Sequence, residues 1–190
     1  MGIIQVSAPQ AEPITAESVK QSARIDGSEF DSQLAIIIPA LRRQAEGHLG
    51  RRLINQTLRL MIDRFPAIEI DLQLPDVTSI VSVQYIDQAG VLQTLPSDAY
   101  VLDSASTTAW LLPAAGVAWP ETMASANAVR IDFVAGYGDA PGDVPEDIRL
   151  WMIAHAVQIL NAPDGQGDGS IKPLPFVDGL LDYYKIWRVV

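Results

Sequence analysis

The sequence predicts an α+β fold: N-terminal helices and a C-terminal helix packed as a small bundle, with an antiparallel β-domain inserted between them. Three observations carry this expectation. Apolar residues recur at three- and four-residue spacing over 29–49 and nearly fill 146–161. Between about 55 and 138 the apolar period falls to two, and Pro, Gly, Asp and Ser clusters cut the stretch into short runs. Each helical end of the chain lacks a partner for its own apolar surface, so the two ends are expected to form one layer.

The elements follow in order. Residues 1–13 read as a mobile arm containing Pro9 and Pro13. Thr15 stands where an N-cap is needed, and Glu17 complements the helix dipole, opening a helix over 16–25 that stops near Asp26-Gly27. In the second helix, 29–49, the residues Phe30, Leu34, Ile37, Ile38, Leu41, Ala45 and Leu49 form one stripe. Arg42, Arg43 and Glu46 fall opposite it. Pro39 deletes a backbone hydrogen bond and is expected to kink or split this helix. Gly47 and Gly50 weaken its end.

The segment 55–138 reads as the inserted antiparallel β-domain. Its strands are Thr57–Asp63, Ile68–Leu72, Ile80–Ile86 and Ala128–Val134, with shorter candidates at Ala99–Asp103 and Ala109–Leu112. Asp87-Gln88-Ala89-Gly90 marks a hairpin. Five to seven short strands at this spacing indicate a small sandwich or barrel-like sheet. Residues 145–161 return to helix and join 14–54 in the helical layer. Three glycines and flanking prolines make 162–175 a flexible linker. Phe176–Tyr184 can form a last helical piece.

Composition narrows the function. The chain of 190 residues is 48% hydrophobic and 19% charged, enough for a real core. It has no cysteine, which removes disulfides and Cys-ligated metal sites. Thirteen Lys and Arg against 23 Asp and Glu give a net charge of −10, unfavourable for tight sequence-independent DNA binding. Met1–Ser7 does not read as a secretory signal, and Val6 stands where a myristoylation pattern needs Ser or Thr. No apolar run approaches the length of a membrane span, so no membrane partner is expected.

The candidate chemistries are weak. His48 and His155 sit on predicted helices without further ligands at helical spacing. Asp164–Ser170 resembles half of a calcium loop, but Pro175 occupies the twelfth position. Asp139, Asp143, Glu146 and Asp147 could hold a cation, and fit better as helix caps and dipole partners. Gly136-Tyr137-Gly138 lacks the Lys and Thr of a phosphate loop. No Gly-x-Ser-x-Gly elbow occurs. No catalytic, metal or cofactor residues are therefore expected, and the chain is read as a non-enzyme. Trp110 and Trp119 could form a sugar-stacking platform; packing is the simpler role. Arg42, Arg43, Arg51 and Arg52 form a small basic patch, read first as a solvated helix face and second as one that could pair, across a subunit boundary, with the acidic 139–147 loop, where Asp139 and Asp143 stand.

Several motifs, in this order, resemble a known family. They are Glu12-Pro13-Ile14-Thr15 before a short helix; Phe30–Leu34 running into Ala45–Thr57; Leu74–Ile80 with Val83–Asp87 and Gly90; and Ala135-Gly136-Tyr137-Gly138 followed by Val144–Arg149. Together they are similar to the head–tail connector (adaptor) proteins of tailed phages and phage-derived particles, over about residues 12–160 and more weakly through Leu180–Tyr184. Pro39 and the long Gly-rich linker depart from the family pattern.

The resemblance implies a structural subunit of a ring, usually of twelve copies, beneath the portal. Such a ring extends the DNA channel, with DNA passing unbound, and receives a stopper or tail-terminator protein. The alternative reading is a non-enzymatic tail or capsid module contacting glycan or another virion protein. The implied location is the head–tail interface of a virion assembled in the host bacterial cytoplasm. In such rings a C-terminal segment docks into the portal. Here that segment is 176–190, with Phe176, Leu180, Leu181, Tyr184 and Trp187 as apolar anchors. Twelve copies would carry roughly −120 formal charges, and an acidic lumen would repel phosphates.

Overall fold

The computed structural model describes residues 2–161 and 174–186. It contains four helices and two antiparallel sheets, an α+β architecture. The chain divides into two units. One comprises the segment through Gln10 with Asn55–Tyr137; the other comprises Ala11–Ile54 with the chain from Gly138 on.

The β unit contains eight strands: β1 (Gly2–Ser7), β2 (Gln56–Ile62), β3 (Ile70–Asp71), β4 (Val77–Ile86), β5 (Leu92–Leu95), β6 (Tyr100–Asp103), β7 (Trp110–Pro113) and β8 (Val129–Ala135). Five form a sheet in the order β1-β2-β8-β4-β5, and three form a sheet in the order β3-β7-β6. β2 and β8 show why alternation specifies this arrangement. Leu58, Leu60 and Ile62 lie opposite Phe133, Ile131 and Val129, and all six are buried. The residues between them face the other way, and there Arg59 lies opposite Asp132. A one-residue slip would turn the apolar set outward, so burial fixes the register. Leu72, Val83 and Leu111 join the same apolar cluster, which draws on both sheets.

The predicted hairpin forms between β4 and β5. The Asp87 carboxylate accepts hydrogen bonds from the backbone of Ala89 and Val91 and from the Gln93 side chain. These bonds, that from Gln93 foremost, lower the Asp87 pKa.

Part of the expected mobile arm differs: Gly2–Ser7 is an edge strand paired antiparallel with β2. The reason is tertiary: β2 has an open edge, and Ile3 packs against the core. The β-domain is therefore completed by a strand from outside 55–138.

The helical unit contains α1 (Ala16–Ala23), α2 (Asp31–Leu49), α3 (Glu146–Asn161) and α4 (Pro175–Gly179), followed by a 3₁₀ turn at Asp182–Tyr184. α1 and α2 both pack against α3. Thr15 is the N-cap of α1. Its Oγ1 accepts from Ser18 N at 3.1 Å, and the Ser18 hydroxyl accepts from Thr15 N, a reciprocal capping box. α2 runs unbroken through Pro39. Leu34, Ile37, Ile38, Leu41, Ala45 and Leu49 are buried as the spacing predicts, together with Ile148, Trp151, Met152 and Ala156 of α3.

Candidate functional site

The chain leaves the β unit at Tyr137 and enters the helical unit at Gly138. Gly136, at φ 152°, donates its N–H to Asp76 O at 3.1 Å, closing the end of β8. Gly138 has a different task. A Cβ there would lie 2.2 Å from Asp143 Oδ2, so Gly138 is needed for close approach. Asp143 uses that space to accept from Ala140 N at 2.9 Å. Of the remaining acidic residues, Asp139 is exposed, Glu146 lies 3.5 Å from Arg149, and Asp147 accepts a hydrogen bond from Tyr184 Oη. Among the described residues no group of three His, Asp or Glu side chains could hold a metal ion.

The basic patch does not lie on one solvated face. Arg42 is 6% exposed and Glu46 3%. Arg42 Nε is 2.8 Å from Glu12 Oε2, and Arg42 Nη1 is 3.2 Å from Glu46 Oε2. Arg52 Nη1 is 3.7 Å from the same Glu46 oxygen, and Leu53 N donates to Glu46 Oε1 at 3.1 Å. This is a correction to the subunit-boundary role given to Arg42. It ties the entry to α1, the body of α2 and the exit from α2 within one chain. Helical periodicity missed it because a buried ion pair needs a partner from a distant segment. Arg43 remains exposed, and Arg51 and Arg52 are partly buried.

The described part of the C-terminal segment, through Ile186, contacts its own chain. α4 contacts α3, and Ile186 N donates to Leu49 O at 2.9 Å. Asp178 is the hub. Its Oδ1 accepts from Trp151 Nε1 at 3.2 Å and lies 2.9 Å from His155 Nε2. Its Oδ2 accepts from Leu174 N. Burial would raise this carboxyl's pKa, but the hydrogen bonds from His155 and Trp151 and the charge of His155 hold it below the ordinary value. Burial, with the bond to Asp147, pushes the Tyr184 phenol up. Beside Asp178 an open cavity of about 290 Å³ is lined by Gln44, His48, Trp151, His155, Asp178 and Leu181. The two histidines thus share a cavity, although α2 and α3 are distant in sequence.

The proposed anchors separate accordingly. Leu181 is 2% exposed and belongs to its own chain's core, so its role as a free anchor is corrected. Leu180 and Tyr184 are half-buried, and Phe176 is 81% exposed. Tyr183, absent from the sequence-derived set, is 90% exposed. Trp187, the 164–170 loop and most of the 162–175 linker lie outside the described residues.

In the β unit, Trp119 stacks on Phe65 with centroids 4.9 Å apart and planes 4° from parallel. Its Nε1 donates to Ile68 O. One ring face and the polar handle are therefore occupied, which suits packing better than a sugar platform. Trp110 is half-buried on β7, opposite Asp71 and Asp103.

No protein-family model and no curated protein matches the sequence. Solved structures do match in fold. A chain in the neck of an empty GTA particle, computed with C6 symmetry, aligns at a TM-score of 0.82 and 20% identity, covering 100% of this chain and 98% of that one. A chain in the virion of a native gene transfer agent particle aligns at 0.81 and 22% identity, with the same coverage. A chain in the neck of a native GTA particle, computed with C12 symmetry, aligns at 0.73 and 21% identity, again over 100% and 98%. The chain therefore has, end to end, the fold of proteins found in gene transfer agent particles.

Proposed function

We propose that this chain is a structural subunit of a ring at the neck of a phage-like particle, an adaptor beneath the portal that extends the DNA channel towards a stopper or tail. The observation that carries the reading is full-length likeness: both units align, in one chain, with chains of particles whose necks were computed with C6 and C12 symmetry. The ordered adaptor-like motifs from Glu12 to Arg149 support it independently. The role is assembly without catalysis.

In this reading DNA passes through the lumen without specific binding, and the net charge of −10 per copy keeps phosphates off the wall. The portal-facing surface includes Phe176 and Leu180, with Tyr183 added by its exposure. Arg43 and Asp139, both exposed, are the best placed of the proposed subunit-boundary charges.

The test is to mix the protein with its portal protein and image the product by electron microscopy. A ring stacked coaxially on the portal is expected. Binding to glycans with no affinity for portal would instead favour the tail or capsid module. A lumen lined mainly by Arg and Lys would refute the electrostatic part of the reading.

A further inference from the structure

We propose that the five-stranded sheet continues from one copy of this chain to the next, the open edge of β5 pairing with the open edge of β1 of a second copy. This deepens the ring reading and rests on it.

Strand direction is the first argument. Among the described residues β1 and β5 are the outer strands of the order β1-β2-β8-β4-β5, and every neighbouring pair is antiparallel. With five strands, the two outer ones run the same way. Two different edges with the same direction make a head-to-tail contact, which propagates and closes into a ring when the rotation allows. The small rotation between neighbours in a six- or twelve-fold ring does not reverse a strand. The pairing across the boundary is therefore parallel, with evenly spaced, slanted hydrogen bonds.

Edge chemistry is the second. Proteins blunt exposed edges with charges, Pro or bulges, because unpaired N–H and C=O groups recruit other chains. Neither Gly2–Ser7 nor Leu92–Leu95 contains a charged residue or a proline, in a chain with 13 basic and 23 acidic residues, and the one register shift, between Gln5 and Ser7, falls at the end of β1 and leaves Gly2–Gln5 regular. Ile4 and Val6 are 46% and 48% exposed on one edge; Val91 and Leu92 are 53% and 50% exposed on the other. Copies carrying −10 each repel, so contact is cheapest where charge is absent.

Length is the third. A register shift between Gln5 and Ser7 leaves Gly2–Gln5 as the regular part of β1, four residues, and Leu92–Leu95 is also four. Pro9 lies just beyond one strand and Pro96 ends the other, confining pairing to these segments. The edges match each other in direction, polarity and length, which commits the occupant to a second copy.

The absence of cysteine makes the test clean. Ile4→Cys and Thr94→Cys are introduced together and singly, the protein is assembled with portal, and a short bismaleimide is added. The double variant is expected to give a ladder of cross-linked oligomers, while each single variant stays monomeric. Thr94→Lys is expected to reduce ring yield by about tenfold with an unchanged thermal melt. Rings by electron microscopy without a ladder would overturn edge pairing and leave the ring standing. A ladder replaced by cross-links to portal would overturn the choice of occupant. Neither rings nor ladder would overturn the ring reading as well.

Discussion

The two units hold themselves together by different chemistry. In the β unit, Leu58, Leu60, Phe133 and Ile131 form an apolar interior, and the charged pair Arg59–Asp132 stays on the other face of the sheet. In the helical unit a charged cluster is inside: Arg42 and Glu46 are buried, with Glu12, Arg52 and Leu53 around them. Alternation asks only that residues be apolar and in phase. A buried ion pair asks for particular partners in particular places, since each charge must recover what it loses on leaving water. Charge changes should therefore matter more in the helical unit than in the β unit.

The largest contrast tests that statement. Glu46→Ala removes the acceptor of Leu53 N and leaves Arg42 with a single acidic partner, so a loss of roughly 3–5 kcal/mol is expected by denaturant unfolding. Arg59→Ala removes a bidentate pair, at 2.6 and 2.8 Å to Asp132, from a partly exposed surface. A loss of about 0–1 kcal/mol is expected there. Equal effects would break the comparison. In the β unit the costly change is apolar: Phe133→Ala, at a fully buried site, is expected to lose about 3–5 kcal/mol.

A middle-sized effect lies at the junction. Gly138→Ala forces Asp143 to move and is expected to cost about 1–3 kcal/mol. In an Asp143→Ala background the same substitution should cost less, and a double-mutant cycle measures the coupling. Additive losses would show that Gly138 serves some other need. Thr15→Ala removes the side-chain acceptor of the α1 capping box and should cost about 1 kcal/mol.

The smallest effect is pH-dependent. The Asp178 pKa is depressed in the folded chain, so its contribution is present above the unfolded carboxylate pKa and is lost as pH falls through the folded one. Its side chain is 44% exposed, so screening keeps the contribution small. Amide protection factors over 174–186, which are corrected for the slower intrinsic exchange at low pH, should fall on acidification through that range. Asp178→Asn should exchange quickly at neutral pH and lose most of this dependence. An unchanged pH profile in that variant would remove Asp178 as the tie.

Much of the fold is legible in the residues because its causes are local. The Thr15 cap, the α2 stripe, the Asp87–Gly90 hairpin and the α3 span of Glu146–Asn161 all follow from spacing of three, four or two and from side chains that bond their own backbone. The misses share one cause. Gly2–Ser7 lacks any turn or partner signal in its own neighbourhood, yet β2 offers it an edge. Arg42 and Glu46 read as solvated because no local pattern reveals Glu12 or Leu53 folding over them. Leu181 reads as a free anchor until Trp151 and His155 of α3 are seen holding Asp178 three residues before it.

The sequence by itself determined the α+β class, most element boundaries, the absence of cysteine chemistry and the acidic surplus. These depend on period, composition and short-range hydrogen bonding. Tertiary structure alone decided which strand completes the sheet, which charges are interior, where the C-terminal segment rests and which edges stay open. Those outcomes depend on contacts between segments tens of residues apart, whose energies no local window contains.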